Sequence, residues 1–164
     1  MDLAEYQILA QKTALPTSLS REYLVPMIIG EIGELFGQKA KAVRDTWAPD
    51  DLAKMLISEY GDIAWGTAVL QRILGVWGEE GYQFPVHPDP YTALLQCSLR
   101  LHEADQNDDD TPWLDDAAEQ LWYTLKHHCL AITGRDFDTV LSSNVDKLAR
   151  RAQYDTIMGS GDLR

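Results

Sequence analysis

Two short acidic segments constrain the fold of this sequence more than any other feature: residues 31–34 (EIGE) and 59–62 (EYGD). In each segment two carboxylates stand three positions apart, a spacing that places both on one face of an α-helix. Like charges held one turn apart repel each other unless a positive group lies between them. The spacing therefore predicts two facing helices whose four carboxylates form an all-oxygen cage. Such a cage suits Mg²⁺ or Mn²⁺ better than zinc.

Glycines accompany the first acidic segment. Gly30, Gly33 and Gly37 fall beside Glu34 on helical spacing, although glycine inside a helix costs roughly 1 kcal/mol relative to alanine. Close approach of another backbone, or room for a ligand above the acidic face, would explain the choice. Lys41 lies two turns beyond Glu34 on the same face, where its ammonium could contact a phosphate that a metal ion also holds.

The charge balance narrows the class of partner. The net charge is −12, from 14 basic and 26 acidic residues, which argues against a general nucleic-acid-binding protein because such proteins depend on basic surface. An anionic small substrate stays possible because bound metal ions reverse the local sign of charge.

Compartment and membrane association follow from two further features. The two cysteines, Cys97 and Cys129, form neither a disulfide framework nor a metal-binding spacing, so we expect reduced residues in the core. The first residues lack the basic start and apolar centre of a signal peptide, and no apolar run approaches the ~20 residues that span a bilayer. We therefore expect a cytoplasmic protein, of a bacterium or of the host cell if phage-encoded, with no membrane contact.

The apolar spacing along the chain is helical throughout, and no period-2 alternation is long enough for a strand. The pattern predicts one all-α domain over residues 1–164. Asp50 is the expected N-cap of the third helix, and Gly134 is expected to end the fifth. A loop is expected at 75–90, and a polar turn is expected at 106–112. The predicted helices are 2–14, 20–43 (with Pro26 either kinking it or marking its first turn), 51–74, 91–105, 113–133 and 137–152.

A weak internal repeat suggests how the helices could assemble. The pattern D-x-x-E-x-x-W at 116–122 has the same layout as E-x-x-D-x-x-W at 59–65. If the two later helices imitate the two acidic ones, the four would complete a bundle within one chain. Chance similarity between amphipathic helices is the alternative explanation.

The paired acidic motifs resemble the metal signature of the MazG-like all-α nucleoside triphosphate pyrophosphohydrolases. Other segments are similar to the short phage and bacterial members of that family, and the resemblance covers about 1–75 and 119–164. These segments are 6–13 (YQxxAxxT), 41–45 (KxxRD), 144–151 (NVDKLxxR) and 159–164 (GSGDLR). Residues 76–118 depart from the family pattern and indicate an inserted helical segment. The resemblance implies a four-helix-bundle-like fold completed by oligomerisation, as a homodimer or homotetramer.

The resemblance also implies an activity: hydrolysis of a (deoxy)nucleoside triphosphate to the monophosphate and pyrophosphate, in nucleotide-pool control. Two or more Mg²⁺ or Mn²⁺ ions would offset the charge of the triphosphate and lower the pKa of the attacking water. Glu31 or Glu34 would act as base, with Lys41 assisting. The implied metal ligands are Glu31, Glu34, Glu59 and Asp62.

Three residues of the last predicted helix could read the outer phosphates. Asn144, Lys147 and Arg151 follow each other at i, i+3 and i+7, which forms one stripe suited to the β- and γ-phosphates. A solvated charged face is the alternative explanation for the stripe.

Other functions remain open on the sequence. Within the enzyme class, a dUTP-specific all-α diphosphatase has a similar metal motif. From another class, a non-catalytic bundle could bind nucleotide or a partner protein. A di-iron centre is disfavoured because neither acidic pair offers the Glu-x-x-His that such centres use. No short segment encodes a preference for one base.

Overall fold

The computed structural model describes residues 1–77, 84–106 and 111–153, and every regular element in these ranges is helical. The absence of strands among the described residues confirms the predicted all-α class. None of the helices in these ranges is both long and apolar enough to cross a membrane. The helices are α1 (Leu3–Thr13), a 3₁₀ turn (Pro16–Ser18), α2 (Arg21–Asp45), α3 (Pro49–Leu74), α4 (Pro90–Gln106), α5 (Thr111–Thr133) and α6 (Phe137–Gln153).

The helix ends follow local chemistry. The carboxylate of Asp2 accepts the backbone N–H of Glu5 at 2.8 Å and caps α1, while Asp136 accepts the backbone N–H of Thr139 at 2.9 Å just before α6. Gly134 follows α5 with a φ of +70°, a conformation that glycine adopts without the strain a side chain would cause.

Two expectations at helix starts need correction or refinement. The prediction that Asp50 caps α3 is wrong: Ala48 is the N-cap, and Asp50 lies in the first turn. Pro49 occupies the first helical position, where its missing N–H leaves no bond unmade. Pro26 lies inside α2, which begins at Arg21, so this proline does not mark the first turn.

Four helices pack in a closed ring within the single chain. Helix α2 packs against α3, α3 against α5, α5 against α4, and α4 back against α2. These are the four helices that the internal repeat relates. Helices α1 and α6 add to this ring by packing on α3 and on each other, so α3 has neighbours on most of its circumference. Helix α4, which lies in the segment that departs from the MazG-like pattern, is thus part of the core.

Close approach of helices explains Gly66, and open space surrounds three other glycines. A Cβ on Gly66 of α3 would lie 2.8 Å from Ile28 Cγ1 of α2, closer than real Cβ contacts, so the glycine lets these helices touch. Around Gly30, Gly33 and Gly37 of α2, no atom lies within 4 Å of an added Cβ. The acidic side of α2 therefore carries a bare strip of backbone.

Candidate functional site

The hairpin of α2 and α3 brings three carboxylates together. One carboxylate oxygen from each of Glu31, Glu34 and Glu59 lies within 4.8 Å of the others. Helices α2 and α3 are consecutive and packed along their length, so motifs on their facing sides meet. Glu34 is exposed, Glu31 is half-buried and Glu59 is only 8% exposed. We call these three residues the acidic cluster.

The cluster suppresses its own ionisation. The pKa of Glu31 is raised to about 8, first by burial and then by the negative charges of Asp62, Glu34 and Glu59, while Lys147 acts in the opposite direction. Burial also raises the pKa of Glu59, and the hydrogen bond from Gln38 opposes that rise. The cluster therefore cannot hold its full negative charge at neutral pH unless a cation joins it.

Gln38 adds an amide oxygen to this region. Its Nε2 donates to Glu59 Oε1 at 2.7 Å, and the side chain is 5% exposed. Its own Oε1 is buried and has no hydrogen-bond partner among the described residues. Because a carboxylate only accepts, the amide must direct its nitrogen to Glu59, which leaves the oxygen without a donor. A buried acceptor without a donor costs free energy, and an amide oxygen is a ligand that hard cations accept.

Asp62, the fourth predicted metal ligand, is held by α6. Lys147 Nζ lies 2.6 Å from Asp62 Oδ1 and 2.5 Å from Oδ2, and it also donates to Ser58 Oγ at 3.2 Å. Asn144 Nδ2 donates to the same Asp62 Oδ1 at 3.0 Å. The side chains of Lys147 and Asp62 are 19% and 22% exposed. The ion pair is thus largely withdrawn from water, where charge pairing is stronger than at the surface.

Asn144 is fixed between two neighbours. The hydroxyl of Tyr6 on α1 donates to Asn144 Oδ1 at 3.0 Å, while the amide nitrogen of Asn144 serves Asp62. A Cβ on Gly61 would lie 2.9 Å from Asn144 Cβ, so this glycine allows α6 to approach α3. The carboxylate of Asp62 is therefore oriented through a buried chain that begins at Tyr6.

Two predicted site residues remain, Lys41 on α2 and Arg151 on α6. Lys41 is exposed and makes no hydrogen bond or ion pair with any described residue. Arg151 lies half-buried one turn beyond Lys147 on α6. The closing segment 159–164, which contributes to the family resemblance, lies outside the described residues.

Three contributors were missed by sequence reasoning: Tyr6, Gln38 and Ser58 in their bonding roles. Gln38 could have been found, because it follows Glu31 by seven positions and Glu34 by four, which is the same helix face. The role of Tyr6 had no local signal, since 138 positions separate it from Asn144.

A separate groove carries none of the predicted site residues. It is open, has a volume of about 720 Å³, and lies between the start of α1, α5 and the start of α6. Its walls include Trp122, Phe137 and Lys126. A groove of this volume can hold a ligand, but the grouped carboxylates and the partnerless amide lie elsewhere, and they define the candidate site.

No protein-family model, curated protein or solved structure matches this chain. The resemblance to the MazG-like signature accordingly rests on the residues quoted for it.

Proposed function

We propose that this protein is a metal-dependent nucleoside triphosphate pyrophosphohydrolase. Its reaction would convert a (deoxy)nucleoside triphosphate into the monophosphate and pyrophosphate by water attack at the α-phosphorus. The observation that carries the proposal is the grouping of three carboxylates within 4.8 Å. The negative charge of a fourth carboxylate, Asp62, acts on two of them, Glu31 and Glu59. The resemblance of both acidic motifs to the MazG-like signature supports the same reading.

The donor set fits a hard divalent cation. The cluster offers only oxygen ligands, and the partnerless amide oxygen of Gln38 lies beside it. Glu31, Glu34, Glu59 and Asp62 would together hold two or more Mg²⁺ or Mn²⁺ ions. When bound, such ions supply positive charge that offsets the triphosphate and acidifies a water molecule.

The chain's own residues supply the remaining functions. Glu34 is exposed and the pKa of Glu31 is raised to about 8, so either carboxylate, once ionised, could accept the proton of the attacking water. Asn144 orients Asp62. Lys147, Arg151 and Lys41 are the cations proposed to meet the phosphates.

The test is release of pyrophosphate from a panel of triphosphates that includes dUTP, with Mg²⁺, with Mn²⁺ and without metal. We expect metal-dependent release, and a response confined to dUTP would instead identify a dUTP-specific diphosphatase. A bundle that only binds nucleotide would release nothing. Since several kcal/mol of charge stabilisation depend on the ligands, Glu31→Gln, Glu59→Gln or Asp62→Asn should each lower kcat/KM by about a hundredfold or more.

The matched control is Asp50→Asn, which also removes one carboxylate from α3. Asp50 precedes Glu59 by nine positions, about 13 Å along the helix, so its loss should leave the rate unchanged. Wild-type rates in all of the cluster variants would refute the site. Glu34→Gln is the fourth variant of the series, and the same loss is expected from it.

The bond that breaks can be tested independently. If water attacks the α-phosphorus, hydrolysis in water labelled with heavy oxygen should place the label in the monophosphate. Pyrophosphate should leave as one unit. Direct release of orthophosphate would overturn the proposed reaction even if hydrolysis is metal-dependent.

A further inference from the structure

One cation that acts on the acidic cluster belongs to the protein itself. The Lys147 ammonium contacts both oxygens of Asp62, at 2.6 and 2.5 Å, and its third described contact is the neutral hydroxyl of Ser58. The ammonium therefore occupies both oxygens of Asp62, which is the edge of a carboxylate that a metal ion would also use.

Asp62 belongs electrostatically to the cluster although Lys147 holds it. Its charge acts on both Glu31 and Glu59, and the positive charge of Lys147 reaches the same two carboxylates. Glu31, Glu59 and Asp62 thus share one ammonium.

A second observation at this place concerns the amide of Gln38. Gln38 is 95% buried, and its amide oxygen lacks a donor while its nitrogen serves Glu59. Because the oxygen and the nitrogen belong to the same amide group of Gln38, the oxygen also lies close to the carboxylate of Glu59. A cation in the cluster would give this oxygen and the carboxylates a common partner.

We propose that Lys147 and a divalent metal ion compete for Asp62. In the metal-free protein the ammonium holds Asp62, and an ion that binds there must displace it, because two cations cannot share the same carboxylate edge without strong repulsion. An ion held by Glu31, Glu34 and Glu59 does not need this displacement. The proposal rests on the proposed function for the identity of the ligand as a divalent metal, and it makes Lys147 the residue that sets the affinity of the second ion.

The first test is titration of the metal-free full chain with Mn²⁺, in which electron paramagnetic resonance measures the free ion. Lys147→Met keeps the length of the side chain and removes its charge. We expect Lys147→Met to tighten the weaker class of Mn²⁺ sites by roughly tenfold or more, the equivalent of one lost charge-assisted bond. If the wild type shows only a single class of sites, the variant should show a second class. The tighter class should change less than threefold.

Two variants control this titration. Lys147→Arg keeps the positive charge at Asp62 and should retain weak binding of the second ion. Lys54→Met removes an exposed ammonium from α3 that pairs only with Asp51 among the described residues, and it should behave as the wild type. Unchanged or weaker Mn²⁺ binding by Lys147→Met would overturn the competition.

Thermal unfolding gives a second readout that also shows whether the variant folds. Without metal, Lys147→Met should have a lower Tm than the wild type, because the half-buried Asp62 loses its partner. Mn²⁺ should raise its Tm by more than it raises that of the wild type. Equal shifts in the two proteins would count against the competition.

The outcomes separate this proposal from the proposed function. If Mn²⁺ binds no variant, both the metal site and the competition fail. If Mn²⁺ binds equally to wild type and Lys147→Met, only the competition fails. If the competition is found but no triphosphate is hydrolysed, only the enzymatic function fails.

Discussion

At Glu31, burial and like charge act on the pKa together. Its pKa rises from the ordinary 4.5 to about 8, chiefly through burial and then through the three neighbouring carboxylates. At neutral pH without metal this side chain is mostly protonated. Binding of a cation would require its proton to leave, so metal affinity and proton release are coupled at this residue.

The raised pKa predicts how the stability of the metal-free protein depends on pH. The folded pKa of Glu31 lies above the unfolded one, so the folded chain binds more protons between about pH 4.5 and 8 and the free energy of unfolding falls as pH rises through that window. The contribution of Glu31 to the free energy of unfolding is present in full below the pKa of its unfolded state. Glu31→Gln cannot ionise, and in thermal unfolding at a series of pH values it should show a flatter profile and a higher Tm near pH 8.

Asp50→Asn serves as the comparison for this series. Its carboxylate is exposed in the first turn of α3, so the variant should keep the wild-type dependence on pH. A Glu31→Gln profile that runs parallel to the wild type would show that Glu31 does not titrate in this range.

At the scale of the element, glycines set the distance between α3 and its neighbours. At Gly61 an added Cβ would lie 2.9 Å from Asn144 Cβ, an atom anchored to the α6 backbone. This contact cannot be relieved by rotating a flexible side chain, so α6 would have to move and the bond between Asn144 and Asp62 would lengthen.

Substitution at two glycines tests this reading. Gly61→Ala should lower the free energy of unfolding by about 1–3 kcal/mol, the usual cost of overpacking. Gly30→Ala, on the exposed side of α2 with nothing within 4 Å of its Cβ, should raise it by up to about 1 kcal/mol through better helix propensity. Urea denaturation of both variants measures the difference. Stabilisation by both substitutions would show that α3 and α6 are not in close contact at Gly61.

At the scale of the whole molecule, α4 and α5 leave large apolar side chains in solvent. Leu95, Leu99 and Trp113 are 51%, 58% and 59% exposed, and Leu130 is 67% exposed. Leu99 and Trp113 line one groove together with both a basic and an acidic side chain, Arg100 and Glu103. Exposed apolar groups gathered on one surface are typical of association sites. Because the helix ring closes within one chain, association would cover the exposed apolar side chains of α4 and α5 rather than supply a missing part of the core.

The homodimer or homotetramer implied by the resemblance stays a prediction, and we expect its contacts to be formed by the acidic hairpin and residues 91–133. Leu99→Asp should convert it to a monomer of 18.5 kDa in light scattering at micromolar concentration, because a charge would be buried in the contact. Ile8→Asp, at a 45% exposed position on α1, should leave the assembly intact. A monomeric wild type would contradict the prediction and leave the within-chain ring as the complete unit.

Local sequence was enough to determine the elements and part of the site. Helical spacing predicted six helices whose bounds agree with the structure to within a few residues, because i, i+3 and i+4 periodicity depends only on neighbours along the chain. The same spacing brought Glu31 and Glu34 to one face, and consecutive antiparallel helices carried Glu59 to meet them. The start of α3 was misjudged at Asp50 because Pro49 competes for the first helical position.

Only the tertiary structure decided which charges meet. Lys147 was predicted to face phosphates, yet in the structure it neutralises Asp62 from 85 positions away, and the exposed Lys41 joins neither network. Nor did any local pattern show that Tyr6 holds Asn144. These contacts depend on the angles and distances at which whole helices pack, which are set by the shapes of buried side chains far apart in the chain.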